Sequence, residues 1–262
     1  MIRERMMAER TADARGFRWR GREVSRLEAL SDAVFGFAIT LLVVSLEVPR
    51  TFGELMAAMR GLVAFAACFA LLFLVWYHQY RFFRRYGLED GVTIALNGVL
   101  LFVIVFFVYP LKFVFGYAIG KMMGEPGYVL ATDGARLPKL TEADAPLMMV
   151  VYGAGYMAVF LVFALLHLHA LRRREALELN ALEVYDTVDN VRESLLNVGV
   201  GVLSIVLALY GGPGGPMLAG LCYWLVGPVL GINGVIAGRG RKRLLAAAPS
   251  PAPTVAARPA LE

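Results

Sequence analysis

The chain has 262 residues, of which 58% are apolar, and a net charge of +5, with a mean hydropathy of +0.62. Soluble domains sit nearer half apolar. Here the excess falls in blocks of about 20 residues, the helix length that crosses a hydrocarbon core about 30 Å thick. This pattern excludes a mainly soluble enzyme or binding domain. It predicts an all-α integral membrane protein.

Taken in chain order, residues 1–26 form a basic N-terminal arm with eight arginines: Arg3, Arg5, Arg10, Arg15, Arg18, Arg20, Arg22 and Arg26. The arm has neither the short apolar core nor the small-residue cleavage site of a secretory signal. It is expected to lie in the cytoplasm and to touch anionic lipid. Residues 27–238 hold six predicted spans: Leu27–Val48, Leu55–Tyr77, Val92–Tyr117, Ala145–His167, Ser194–Tyr210 and Met217–Gly238. The third carries Pro110 and Lys112 near its far end, and Gly120–Pro146 reads as a polar external loop. Residues 239–262 read as a basic, then Ala/Pro-rich, disordered tail.

Charge gives the orientation. Arginine follows the second span (Arg81, Arg84, Arg85), the fourth (Arg172, Arg173, Arg174, Arg192) and the sixth (Arg239, Arg241, Arg243, with Lys242). The other loops are short or mix both signs. The bias puts both termini in the cytoplasm. It also accounts for the basic character, so no nucleic-acid partner is expected.

The motifs are few. Cys68 and Cys222 lie within spans, so no disulfide framework is expected. His167 and His169 are two residues apart, about 200° around a helix, and face opposite ways, which argues against a metal pair. Tyr210–Gly215, "YGGPGG", lacks the Thr-Val-Gly-Tyr-Gly order of a carbonyl filter and reads as a tight turn. Gly220, Gly227, Gly231, Gly234 and Gly238 are spaced for close helix contact. No paired carboxylates and no nucleophile with a base are present, so neither enzyme nor cofactor is expected.

The polar groups inside the spans carry more. At about 100° per residue, Phe37, Leu41 and Val44 fall within about 60° of one another in span one. Leu30, Val34 and Val48 extend the stripe, and Thr40 borders it. Ser31 and Asp32 sit on another side. Trp76, His78 and Asn97 at the ends of spans two and three offer them partners. Ordinary helix capping by Ser31 and Asp32 is the simpler alternative.

The stretch "RLEALSDAVFGFAITLLVV" resembles the signature of the transmembrane protein 175 family of potassium channels, an Arg, three residues, then Phe-Ser-Asp. Arg26, Ser31 and Asp32 match it, and Leu30 stands where the family has Phe. "WYHQYRFFRR" (Trp76–Arg85), "LEDGVTIALN" leading to Asn97, and "YPLKF" with Pro110 are similar to stretches of prokaryotic members. The resemblance implies six spans per chain assembling as a homotetramer around a central pore in a prokaryotic cell membrane, passing K+ and other monovalent cations. It also implies a pore lined by the first span. The constricting rings would fall on Phe37, Leu41 and Val44, with Thr40 as a polar layer. Phe37 replaces an aliphatic residue at the innermost ring. The alternatives weighed are a secondary transporter and a non-transporting membrane scaffold.

Overall fold

The computed structural model describes residues 12–13, 15–21, 23–44, 50–131 and 134–247. The far end of the first predicted span (45–48), the Val44 side chain and the C-terminal tail beyond 247 lie outside the described residues. Helix α1 (Arg26–Val44) opens with a capping box. Ser25 Oγ accepts the Glu28 N–H at 3.1 Å, and the Glu28 carboxylate accepts the Ser25 N–H at 2.9 Å. The other helices are α2 (Phe52–Arg60), α3 (Leu62–Tyr86), α4 (Gly91–Met122), α5 (Ala145–Arg172), α6 (Ala181–Tyr210), α7 (Gly215–Leu221) and α8 (Val226–Ala247). Among the described residues, α3, α4, α5, α6 and the run from Gly212 to Ala246 are long and apolar enough to cross a membrane.

Several boundaries depart from the expected spans for local reasons. The second predicted span is divided at Gly61, and α3 then continues past Tyr77 to Tyr86. It stops where Gly87 adopts φ 58° and donates its N–H to Phe83 O, a left-handed C-cap. Helix α6 begins well before Ser194, because Asn180 and Glu183 build a second capping box there. The sixth segment is interrupted by a 3-10 turn at Cys222–Leu225. Pro228 has no N–H for the Trp224 carbonyl, and its ring crowds that carbonyl. Tyr210–Gly215 is a tight turn, as expected, with Gly212 at φ 65°. The stretch predicted as an external loop is not wholly irregular. Strands β1 (Tyr128–Leu130) and β2 (Arg136–Pro138) pair antiparallel with Val129 opposite Leu137, and Arg136 stacks over Tyr128 at 4.8 Å.

Helices α5 and α6 form the most extensive pair; α4 joins α5, α8 joins α6, and α1 packs on α3 and α4. Gly155 on α5 lies so close to Phe107 of α4 that a Cβ would overlap the ring, the close approach that small residues permit between helices in lipid. The glycines of the last span behave otherwise. A Cβ at Gly227, Gly231, Gly234 or Gly238 would meet nothing within 4 Å, so this stripe is not an internal packing surface of the chain.

The N-terminal arm is the largest departure. Its described part folds back onto one end of the bundle. The N–H groups of Arg20 and Gly21 donate to Arg84 O at the end of α3, at 3.0 and 3.2 Å. Phe17 is 1% exposed, edge-on to Tyr86 at 5.5 Å and under the Arg85 guanidinium at 4.8 Å. Asp13 pairs with Arg85 at 2.5 Å. Burial raises the Asp13 carboxyl, but the Arg85 guanidinium and the N–H groups of Phe17 and Arg15 outweigh it and leave it below the usual carboxylate range.

Candidate functional site

Helix α1 has two faces. Glu28, Ser31, Phe35, Ala38 and Leu42 recur at three- and four-residue spacing and are all buried against the chain's own helices. On the opposite side, Leu30 is 56% and Phe37 57% exposed, and Ala33 and Thr40 are also exposed. Leu41 is half-buried on the flank. The Thr40 hydroxyl donates to Gly36 O at 2.8 Å. That bond uses the hydroxyl proton within the helix and leaves the oxygen free to accept from outside. The backbone of Val44 continues the helix; its side chain lies outside the described residues.

The buried face carries a hydrogen-bond relay. Gln79 Nε2 donates to Asn97 Oδ1 at 2.5 Å, Asn97 Nδ2 donates to Ser31 Oγ at 3.0 Å, and Ser31 Oγ donates to Leu27 O at 2.7 Å. Beside it, Trp76 Nε1 donates to Asp32 Oδ1 at 2.7 Å. Asp32 itself is exposed on the chain, so this bond lies at the rim of the buried face. Five polar side chains from α1, α3 and α4 thus lock the start of α1 to its neighbours, in low dielectric where a lost partner is costly.

Two of the expected members do not join this network. Arg26 is exposed and has no ion-pair partner among the described residues. His78 stacks near Phe163 of α5 at 5.7 Å and lines a small cavity with Arg81, His167, Asn190 and Glu193. It is two residues from Trp76, about 200° around α3, and cannot share its face. Gln79, three residues from Trp76, can; the same periodicity would have found it in the sequence. Lys112 was noted only for its place near the end of a span. It donates to Leu42 O at 2.8 Å, tying α4 to the upper part of α1. His167 and His169 part company as expected. His167 Nδ1 bonds Phe163 O at 2.8 Å, and His169 Nε2 bonds Asp90 at 2.7 Å.

At the arm end, Glu183 is 1% exposed. Its carboxylate receives the Arg20 guanidinium at 2.7 Å, the Arg18 guanidinium at 3.2 Å, the Arg18 N–H at 3.0 Å and the Asn180 N–H at 3.0 Å. Arg241 of α8 bonds Asp186 at 3.2 Å and Arg15 O at 2.5 Å.

The comparisons with known proteins agree with this arrangement. The family model for the endosomal/lysosomal potassium channel TMEM175 matches residues 26–107, which hold both faces of α1 and the whole relay. A potassium channel of Marivirga tractuosa is 40% identical over 232 residues, covering 87% of this chain and 94% of that one. A potassium channel of Chamaesiphon minutus is 33% identical over 105 residues, 37% of this chain and 52% of that one. Among solved structures, a variant of the potassium channel MtTMEM175 in complex with a nanobody–MBP fusion superposes with a TM-score of 0.74 at 38% identity, covering 87% of this chain and 99% of that one. A TMEM175 homologue from Chamaesiphon minutus shares the fold, with a TM-score of 0.52 at 23% identity over 79% and 96% of the two chains. The chain is therefore a multi-pass membrane protein and a prokaryotic member of the transmembrane protein 175 family of potassium channels.

Proposed function

We propose that the protein is a potassium-permeable cation channel of the prokaryotic cell membrane. Four copies surround a central pore, and α1 of each lines it. The observation that carries this reading is the two-faced α1. One side is buried against α3 and α4, while Leu30, Phe37 and Thr40 on the other are exposed among the described residues. One such stripe cannot enclose a path. Cyclic symmetry supplies the others. In this reading the chain crosses the membrane six times, the first span being the one that holds α1, with both termini in the cytoplasm.

In this assembly Phe37, Leu41 and Val44 form successive apolar rings along about 10 Å of axis, at 1.5 Å rise per residue. A narrow apolar neck sheds water, and an ion entering it faces a dehydration barrier. This is a hydrophobic gate that needs no plug. Thr40 adds a ring of hydroxyl oxygens whose protons are already held by Gly36 O. Those oxygens are free to replace part of the ion's water. The relay Ser31–Asn97–Gln79 and the pair Asp32–Trp76 hold the base of each α1 in position. The test is ion flux from liposomes holding the purified protein, under potassium and then sodium gradients. Flux with a potassium preference is expected, and no flux from correctly assembled protein overturns the reading.

A further inference from the structure

The arm that clasps the bundle end is joined to the base of α1 by a very short piece of chain. Gly21 ends the described contacts with α3, and Ser25 begins the capping box of α1. Four peptide steps separate them, at most about 15 Å of extended chain. A cleft of about 290 Å³ lies between arm and helix base, lined by Arg20, Gly21, Glu23, Ser25 and Glu28. Phe83, Gly87 and Glu89, at and just past the end of α3, line its other side, and the main chain between Gly21 and Ser25 is the covalent link from arm to helix base.

Besides its main-chain bonds to Arg84 O on α3, the clasp is anchored on α6 and α8. Helix α1 packs on α3 and α4, whereas α6 pairs with α5 and α8. Arg18 and Arg20 reach α6 at the buried Glu183, and Arg15 reaches α8 through Arg241. They also reach the turn before α6. Glu178 holds a left-handed φ of 48° there, unusual for a residue with a Cβ, and its carbonyl accepts from both Arg18 and Arg20, at 2.5 and 3.3 Å. Arg20 Nε adds Leu177 O at 2.7 Å. The anchor is over-determined, as a strained residue requires.

We infer that Glu183, remote from the pore stripe, is a positioning residue for α1: through Arg18 and Arg20 it tethers the base of the pore helix outward, towards the α6–α8 side. This rests on the channel reading above. The apolar stripes of four α1 helices lose exposed surface by closing on one another. A tether to the outer helices opposes that closure. Releasing it lets the base of α1 settle inward and narrows the neck.

The experiment compares wild type, Glu183→Gln and Glu183→Asp as full-length tetramers. Trypsin reports the arm, since Arg15, Arg18 and Arg20 are its targets. Light scattering and the melting temperature report assembly, and potassium flux from liposomes reports the pore. Glu183→Gln is expected to speed arm cleavage at least tenfold and to lower flux per tetramer at least fivefold. Glu183→Asp, which keeps the charge, falls between it and wild type in both. If Glu183→Gln fails to assemble, Arg20→Gln, which leaves Arg18 on the carboxylate, is read by the same criteria. Faster cleavage with tetramer and flux unchanged overturns the inference, because the clasp is then structural only. Unchanged cleavage overturns it too, because the clasp does not then depend on Glu183. Wild-type tetramers without flux overturn the channel reading and this inference together, whereas normal wild-type flux with an indifferent Glu183→Gln overturns this inference alone.

Discussion

Phe37 and Leu42 stand about 140° apart on one helix, and they are 57% and 1% exposed. Truncating each therefore has a different consequence. On the proposed channel reading, Phe37→Ala or Leu41→Ala is expected to widen and wet the neck, raising flux and lowering potassium preference in matched liposome measurements. Leu42→Ala leaves a hole against α3 and α4 and is expected to lower stability by about 2 kcal/mol. That is the low end for a core leucine, because lipid tails solvate an exposed leucine about as well as protein does. If Leu42→Ala opened the pathway and the other two did not, the stripe would be misassigned. Asp32→Ala removes the Trp76 Nε1 hydrogen bond at the rim, at about 0.5–1.5 kcal/mol. It is expected to reduce tetramer yield on size-exclusion chromatography more than to change ion preference. The periodicity of α1 made its two faces legible in the sequence, and the polar groups at the ends of the next two spans offered Trp76, His78 and Asn97 together as partners, of which Trp76 bonds Asp32 and Asn97 bonds Ser31. Helical periodicity along α3 separates His78 from Trp76 and places Gln79 beside it.

Among the elements, α4 begins at a polar junction that responds to acid. Asp90 caps the helix, accepting the Thr93 N–H at 3.0 Å and its hydroxyl at 2.7 Å, with His169 at 2.7 Å and Arg173 at 3.3 Å beyond. Burial raises this carboxyl, but the Thr93 and His169 bonds outweigh it and bring it down to about 2. A carboxylate depressed in the folded state stabilises fully above its unfolded value of 3.8. That contribution fades as pH falls from about 4 towards 2. Asp90→Ala is expected to cost about 1 kcal/mol at neutral pH. Melting curves should show its deficit against wild type shrinking as pH falls from about 4 towards 2. A deficit that grew across that window would contradict the assignment. The spans themselves were legible because about 20 apolar residues are a strong signal. Three-residue strands have too little alternation to read, so the hairpin was not. The glycines of α8 show the converse fault: spacing describes what a surface permits, not what covers it.

For the whole molecule, the central expectation is closure around an axis. Light scattering in mild detergent is expected to give a homotetramer, and a monomer or dimer as the sole species would defeat the pore model. The helical bundle was legible from hydropathy. The clasp was not, because an ion pair between Arg18 and Glu183, 165 residues apart, leaves no local trace. The arginines of the arm have two tasks at once. Under the positive-inside rule their number favours the cytoplasmic side, while the guanidinium groups of Arg18 and Arg20 in particular hold Glu183, Glu178 O and Leu177 O.

The clasp also has a history in time. The arm leaves the ribosome first, yet the partner of the Arg15 carbonyl, Arg241, lies 226 residues later. At about 5–20 residues per second, synthesis makes the arm wait roughly 10–45 s for it. During that interval α1 can enter the bilayer with its base untied and its apolar stripe uncovered. The last contact forms only once α8 has been made, so a subunit without α8 presents a looser base of α1 than one that has it. Assembly that favours fixed helices would thereby admit finished subunits and pass over partial ones.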